Sequence, residues 1–442
     1  MRIVIIGAGA VGSYLAERLS AEGQDVVVVE FDRARAAEMQ DEIDALVIHG
    51  NGASPAVLEQ AGLDLADLLI AVTSSDAVNV LAAHAGARLG VPRRVARVED
   101  PLLRDEAAAL GVDLLIDPGE ATARELVHLL KQGGVSEDEP YADGRLALIG
   151  GFISDDAPVS GITLNELKDK VTGWTWVVVA IIRQGETLIA RGQSELLPGD
   201  HVLIMAETDK AGEAFALLGW EERPAKKVIV LGGTRLARLS AHHIAAEGIH
   251  TSLIDQEAGR IRGFAERCPE VVCVVGDPTD PKVLKQEGVS NADAVLALTG
   301  WDEVNILGCL VGKALGAKWT VARFHRLDLV NILPGVGIDA GVSTRLSAAN
   351  EILRFVRRGR IHSVTTFQDS DAEAIELQVG HSSPAAGKTL ADLALPRTII
   401  IGGVVRGRDA FVPRGSTVVQ PGDRLIVIAL PEGIPDVEKL SS

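Results

Sequence analysis

Short aliphatic runs alternate along this chain with longer stretches in which apolar residues recur every three or four positions. In the first 132 residues the aliphatic runs fall at 2–6, 25–30, 45–49, 68–72, 94–98 and 112–116. Uninterrupted apolar runs of that length predict strands buried on both faces. Helical spacing occupies 11–22, 54–61, 77–89, 102–110 and 120–130. Strands alternating with helices of this length predict βαβ units and a parallel sheet.

The stretch 133–145 (GGVSEDEPYADGR) interrupts the periodicity with glycine, acid and proline, and reads as a linker. Beyond it, 146–152, 176–183 and 201–206 predict a β-rich small lobe that closes with a helix at 211–218. The turn Pro198-Gly199-Asp200 combines a fixed φ with a residue tolerant of positive φ. At Lys226 the first pattern starts again.

The chain is written twice. Gly7 in GAGAVG is answered by Gly232 in GGTRLA, and Glu30 by Asp255, each 225 positions on. Thr73, Asp76, Asn79 and Arg97 pair with Thr299, Asp302, Asn305 and Arg323 at a spacing of 226. GITLNEL at 161–167 answers GKTLADL at 387–393, and the Pro-Gly-Asp turn recurs at 421–423. The fold class expected is therefore α/β, with tandem Rossmann-like parallel-sheet domains each followed by a small α+β lobe. The expected boundaries are 1–132, 133–222, 226–358 and 361–442. So complete a duplication leaves little chain for a separate catalytic domain.

Composition narrows the partners. A net charge of −18 repels phosphate backbones, and no basic patch offsets it, so nucleic acid is not an expected partner. The longest apolar run, WTWVVVAII, is too short to span a bilayer. MRIVIIGAG enters a strand directly, without a stretch resembling a signal peptide. A cytoplasmic protein without direct membrane insertion is expected. Cys268, Cys273 and Cys309 lack C-x-x-C spacing, and neither a disulfide framework nor a metal site is expected.

The candidate chemistry lies in GAGAVG at 7–12, which follows a strand and opens a helix. Gly7 permits the tight turn, Gly9 lets the backbone approach a pyrophosphate, and Gly12 allows close packing of helix on strand. The helix N-terminus offers free N–H groups to phosphate. Glu30 stands where a carboxylate can accept from ribose hydroxyls and repel a 2′-phosphate, which favours NAD or adenosine nucleotides over NADP. Asn51 after the third strand, Thr73 and Ser74 after the fourth, and Arg97 at the fifth belong to the same end of the sheet. Arg97 could instead pair with a nearby acid.

In the second copy Thr234 replaces Gly9 and Ala237 replaces Gly12, which weakens the motif. Arg235 and Arg238 could pair with phosphate there. Asp255, Asp277 and Thr299 are the corresponding candidates. Asp76 and Asp302 could contact ligand or simply cap the helices that follow.

These motifs, together with GNGASPAVLEQAG, AVTSSDAVN, VIVLGGTRLA and VVGDPTD, resemble the TrkA family over essentially the whole chain. The family comprises cytosolic regulatory subunits of Trk potassium uptake, built from two RCK (regulator of potassium conductance) units. The resemblance implies NAD(H) and ATP or ADP as regulatory ligands, and a homotetramer docked under a membrane potassium-translocating subunit of the Trk type. It also implies a cytoplasmic location, peripheral on the inner face of the cell membrane. The ligand residues it implies are Gly7, Gly9, Gly12, Glu30, Asn51, Thr73, Ser74 and Arg97. Trp301 departs from the small polar residues of the first copy and is a candidate to fill the second base pocket.

No catalytic residue is expected. An NAD-dependent dehydrogenase would need an acid or base near the nicotinamide, and His84, His201 and Lys168 are poor candidates for that role. A soluble nucleotide or metabolite sensor without a channel partner is the other alternative. Helices at 118–131 and 345–358 are expected either to contact another copy or to cover their own sheets.

Overall fold

The computed structural model describes the chain except residues 22, 133–134, 136, 155–156, 172, 184–185, 221–224, 327–335, 357–360, 367–369, 371 and 442. The start of the expected linker and the expected domain ends at 222 and 358 lie outside the described residues. Two compact units form, Met1–Thr122 with Thr344–Val356, and Ala123–Ser343 with Arg357–Ser442.

The first unit carries six strands: β1 (Arg2–Ile6), β2 (Asp25–Glu30), β3 (Leu46–His49), β4 (Leu68–Ala71), β5 (Arg93–Arg97) and β6 (Leu114–Ile116). They form one parallel sheet in the order β3-β2-β1-β4-β5-β6. Its helices are α1 (Ala10–Ala21), α2 (Arg33–Glu42), α3 (Pro55–Gln60), α4 (Asp76–Leu89) and α5 (Pro101–Ala109). Successive residues of a strand point to opposite faces. Ile3 and Ile5 therefore join Leu15 and Leu19 of α1, while Val4 and Ile6 join Leu58 and Ala82 on the other side. The central strands β1, β2 and β4 are buried on both faces, as their unbroken aliphatic runs require, while the edge strand β3 is partly exposed. The strand order reverses between β1 and β4, which opens a crevice beyond their carboxyl ends.

The next helix, α6 (Pro118–Gln132), continues into the second unit. That unit contains β7 (Glu137–Tyr141), β8 (Leu146–Phe152), β9 (Ile162–Thr163), α7 (Leu164–Lys168), β10 (Trp176–Arg183), β11 (Glu186–Ile189), β12 (Glu195–Leu196), β13 (His201–Glu207) and α8 (Gly212–Leu218). A second Rossmann-like half follows: β14 (Lys227–Leu231), α9 (Arg235–Ala246), β15 (His250–Asp255), α10 (Ala258–Arg267), β16 (Val271–Val275), α11 (Pro281–Gln286), β17 (Ala294–Ala297), α12 (Asp302–Ala314), β18 (Trp319–Arg323) and β19 (Ala340–Val342). Its sheet repeats the first order, as β16-β15-β14-β17-β18-β19.

The helix after each sheet does not cover that sheet. In α6, Ala123, Leu126, Leu129 and Leu130 share a core with Leu236, Ala241 and Ile244 of α9. Conversely α13 (Thr344–Val356), which follows β19, places Ala348, Ala349, Ile352 and Leu353 in the first unit's core with α1. Arg93 donates to the Val356 carbonyl at the end of α13, and Thr122 Oγ1 lies 3.0 Å from Ser347 Oγ. Of the two alternatives held open for these helices, covering their own sheets is thus corrected. The two small alanines, Ala348 and Ala349, let α13 lie close on α1.

The small lobes are two five-stranded antiparallel sheets, β11-β10-β13-β8-β7 and its counterpart β20-β21-β24-β22-β23. The latter is built from β20 (Ile361–Thr366), β21 (Glu373–Gln378), β22 (Ile399–Arg406), β23 (Asp409–Phe411) and β24 (Arg424–Ala429), and α14 (Ile434–Ser441) follows. Leu148, Val179 and Met205 of one sheet share a core with Ala374, Ile426 and Ile428 of the other. At Gly402 a Cβ would come within 2.9 Å of Val179, so a larger residue there would push the sheets apart.

Two expectations need correction. Residues 137–141 are strand β7, paired with β8, rather than linker, because Tyr141 and Ala142 are buried. Helix α2 adds an element where no helical spacing is expected, since only Ala36 and Met39 of its ten residues are buried and the apolar periodicity is too sparse to read. Among the described residues no helix is long and apolar enough to cross a membrane.

Candidate nucleotide-binding site

A cavity of about 550 Å³ opens at the crevice between β1 and β4. Gly7, Gly9, Glu30, Asn51, Thr73, Ser74 and Arg97 all line it. Gly12 does not, because it stands beneath the loop, where a Cβ would fall 1.9 Å from the Gly7 carbonyl oxygen. Gly7 has φ +101°, a conformation that side chains with a Cβ rarely adopt. Gly9 differs from both. A Cβ there would meet no protein atom within 4 Å, so the fold's own packing does not require its bareness.

Glu30 is buried and holds the turn. Its Oε2 accepts from the Ala8 N–H at 2.6 Å and its Oε1 from the Asp32 N–H at 2.8 Å. Each carboxylate oxygen keeps a further lone pair for a hydroxyl. Asp32 caps α2, and the N–H groups of Arg35 and Ala34 hold its carboxyl below the usual range.

The far wall depends on Asn79, which the repeat exposes but which chemistry alone did not single out. This fully buried amide accepts from the Thr73 N–H and hydroxyl at 2.9 and 2.7 Å, and donates to the Thr73 and Arg97 carbonyls. It thereby joins the ends of β4 and β5. Arg97 lines the cavity and also pairs with Glu99, the nearby acid its sequence position allowed. Asn51 Oδ1 accepts from the Ala53 N–H, which fixes the turn after β3.

Asp76 neither caps its helix nor lines the cavity. Ser75 is the cap, and Asp76 Oδ2 accepts from the Glu99 and Asp100 N–H groups at 3.0 and 2.9 Å. Both of its sequence readings are corrected: it fastens the loop after β5. Asp302 does the same for His325 and Arg326.

Arg345 and Thr344 complete the lining. Nothing near the glycine motif announces them, because they arrive with α13 from far along the chain. Arg345 stacks over the Tyr14 ring, 5.9 Å from its centroid, and its buried Nε has no hydrogen-bond partner among the described residues. The arginines lining the cavity are therefore Arg35, Arg97 and Arg345, and the acids are Glu30 and Asp32.

The second loop is built differently. Thr234 caps α9, with its hydroxyl 2.7 Å from the Leu298 carbonyl and accepting from the Ala237 N–H. Arg238 is directed back to the Gly233 carbonyl, and burial with Arg267, Arg235 and Arg260 nearby pulls its pKa down. Asp255 accepts from the Gly233 and Glu257 N–H groups, Asp277 from Thr279, and Thr299 is bound to Asn305. Trp301 is 71% exposed, so it fills no pocket.

Comparison with known proteins settles the family. The TrkA-N domain matches residues 3–118 and 228–344, and the TrkA-C domain matches 152–219 and 374–442. The chain belongs to the TrkA family. It is 32% identical to the Trk system potassium uptake protein TrkA of Azorhizobium caulinodans, over all of this chain and 98% of that one. It is 32% identical to the TrkA homolog of Archaeoglobus fulgidus over the full length of both. Among solved structures it resembles the GsuK RCK domain (TM-score 0.61, 19% identity, all of this chain and 94% of that one). It also resembles the GsuK channel bound to NAD (TM-score 0.62, 19% identity, all of this chain and 78% of that one). At these identities the likeness bears on fold alone, and the fold is the tandem Rossmann-like arrangement of RCK units.

Proposed function

We propose that this TrkA-family protein is a nucleotide-binding regulatory subunit of potassium uptake. The observation that carries the reading is Gly9: its missing side chain is not required by any protein neighbour, yet it opens the cavity at the start of α1. A volume of this size suits a nucleotide. In the proposed complex the turn Gly7, Gly9 and Gly12 admits the pyrophosphate to the N-terminus of α1. Glu30 accepts from ribose, Asn51, Thr73 and Ser74 border the nucleoside, and Arg97 and Arg345 face phosphate. The ligands proposed are NAD(H) and ATP or ADP, and the similar GsuK structures bound to NAD and to ADP support that choice. The four-lobe boundaries read from the sequence are kept as the proposed domains.

Occupancy would act by linkage. A ligand with different affinities for two arrangements of the assembly shifts their balance, and a coupling of about 1–3 kcal/mol changes it roughly 5- to 150-fold. The assembly proposed is a homotetramer, peripheral on the cytoplasmic face of the membrane and docked to a potassium-translocating subunit of the Trk type. The names of the full-length relatives support potassium uptake as the process served.

Calorimetry of NADH, ATP and ADP against the wild type, Glu30→Ala and Asp255→Ala tests the site. The Glu30 variant is expected to lose at least tenfold in affinity, with little change for the Asp255 variant. Undiminished binding in both would reject the assignment.

A further inference from the structure

We propose that the second Rossmann-like half carries a zinc site formed by His242, Cys268 and Glu270. The three ligand atoms lie within 4.8 Å of one another. His242 Nδ1 stands 3.3 Å from Glu270 Oε1 and 3.6 Å from Cys268 Sγ. Bond lengths of about 2.0 Å to nitrogen and oxygen and about 2.3 Å to sulfur give tetrahedral edges of roughly 3.3 and 3.5 Å. Those two separations match such edges, and the third, from Cys268 Sγ to Glu270, lies within 4.8 Å and would close to about 3.5 Å around an ion by rotation of the exposed Glu270 side chain.

The scaffold holds the ligands in place. His242 projects from α9, one turn before its end. Cys268 caps α10, its N–H donating to the Phe264 carbonyl, and the Val271 N–H closes the following turn on the Cys268 carbonyl at 3.1 Å. Cys268 is buried among apolar neighbours, while His242 and Glu270 are exposed. A metal here would be shielded on its thiolate side and open to solvent on the other, with water as fourth ligand. One thiolate, one imidazole and one carboxylate neutralise a divalent ion and suit zinc better than calcium or magnesium, which prefer oxygen alone. Binding displaces the thiol proton to solvent and forms the sulfur–metal bond without any redox change.

The site is separate from the nucleotide chemistry. His242 lies eight residues beyond Thr234, about 12 Å along the axis of α9. Sequence spacing conceals it, because 26 residues separate the histidine from the cysteine and no C-x-x-C pair marks the place.

The full chain, stripped of metal with a chelator, should be titrated with cobalt(II) and then zinc. One equivalent of cobalt is expected to raise a thiolate-to-cobalt charge-transfer band, which one equivalent of zinc removes. His242→Ala and Cys268→Ser should abolish the band, Glu270→Gln should weaken zinc binding at least tenfold, and Cys273→Ser should change neither. His242 is exposed, so its variant is expected to fold, and circular dichroism verifies that. Absence of the band at equimolar cobalt, or its survival in the folded His242 variant, overturns the proposal.

Discussion

Arg183 clasps Asp200 with two hydrogen bonds of 2.7 Å each, and the same guanidinium reaches the Glu195 carbonyl at 2.7 Å. Asp200 in turn accepts from the Leu197 N–H, which closes the Pro-Gly-Asp turn. The second half repeats the device atom for atom, with Arg406, Asp423, Val418 and Gln420. In both, the carboxylate is buried and the arginine is partly exposed.

Removing a buried carboxylate strands its arginine and frees the turn. Asp200→Ala should therefore destabilise its lobe by about 2–4 kcal/mol. Asp423→Ala should cost a similar amount. Thermal and urea denaturation measure both, and a cost below the error of the measurement would show that solvent replaces the pair.

Gly12→Ala brings a Cβ to within 1.9 Å of the Gly7 carbonyl oxygen, so the turn must move. Nucleotide affinity at the first loop should fall at least tenfold by calorimetry. Gly9→Ala meets no protein atom, so its fold should be unchanged and its loss confined to binding.

Acid should loosen the second half at Asp302. Burial alone would raise that carboxyl, but the His325 ring and the N–H groups of Arg326 and His325 outweigh it and hold the pKa below its ordinary value. A depressed folded pKa contributes stability above the unfolded value, near 3.8, and this is lost as pH falls through the folded pKa. Asp302→Asn should lower stability at pH 7 and flatten the acid limb of a stability–pH curve.

Helix exchange has a readable signature. Ile352→Ala should cost about 2–5 kcal/mol and speed hydrogen exchange in β1, β2 and β4, although residue 352 lies in the second half of the sequence. Leu126→Ala should act on β14 and β17 instead. If each variant loosened the sheet nearest to it in sequence, the exchange would be wrong.

Much of the candidate site's lining was legible because its parts are local. Gly7, Gly9 and Gly12 share one turn, and Glu30 follows at the next strand end. Asn51, Thr73, Ser74 and Arg97 fall at successive strand ends, where strand order alone brings them together. Asn79 was visible in the repeat, but its role was not: only burial shows that its amide joins β4 to β5. Asp76 and Asp302 looked like caps because caps and loop fasteners use the same residue at the same place. Strand β7 escaped because acids and a proline disguise a strand whose apolar residues come last.

The sequence by itself determined the duplication, the two parallel sheets and the turn able to meet a phosphate, since each depends on spacing within a few dozen residues. Tertiary structure alone decided which sheet each of α6 and α13 covers, and hence that Arg345 stands at the first glycine turn. It likewise brought His242, Cys268 and Glu270 together. The reason is physical: an apolar helix face read from the sequence says that it is buried but not against what, and contacts between segments this far apart along the chain are made only by packing in three dimensions.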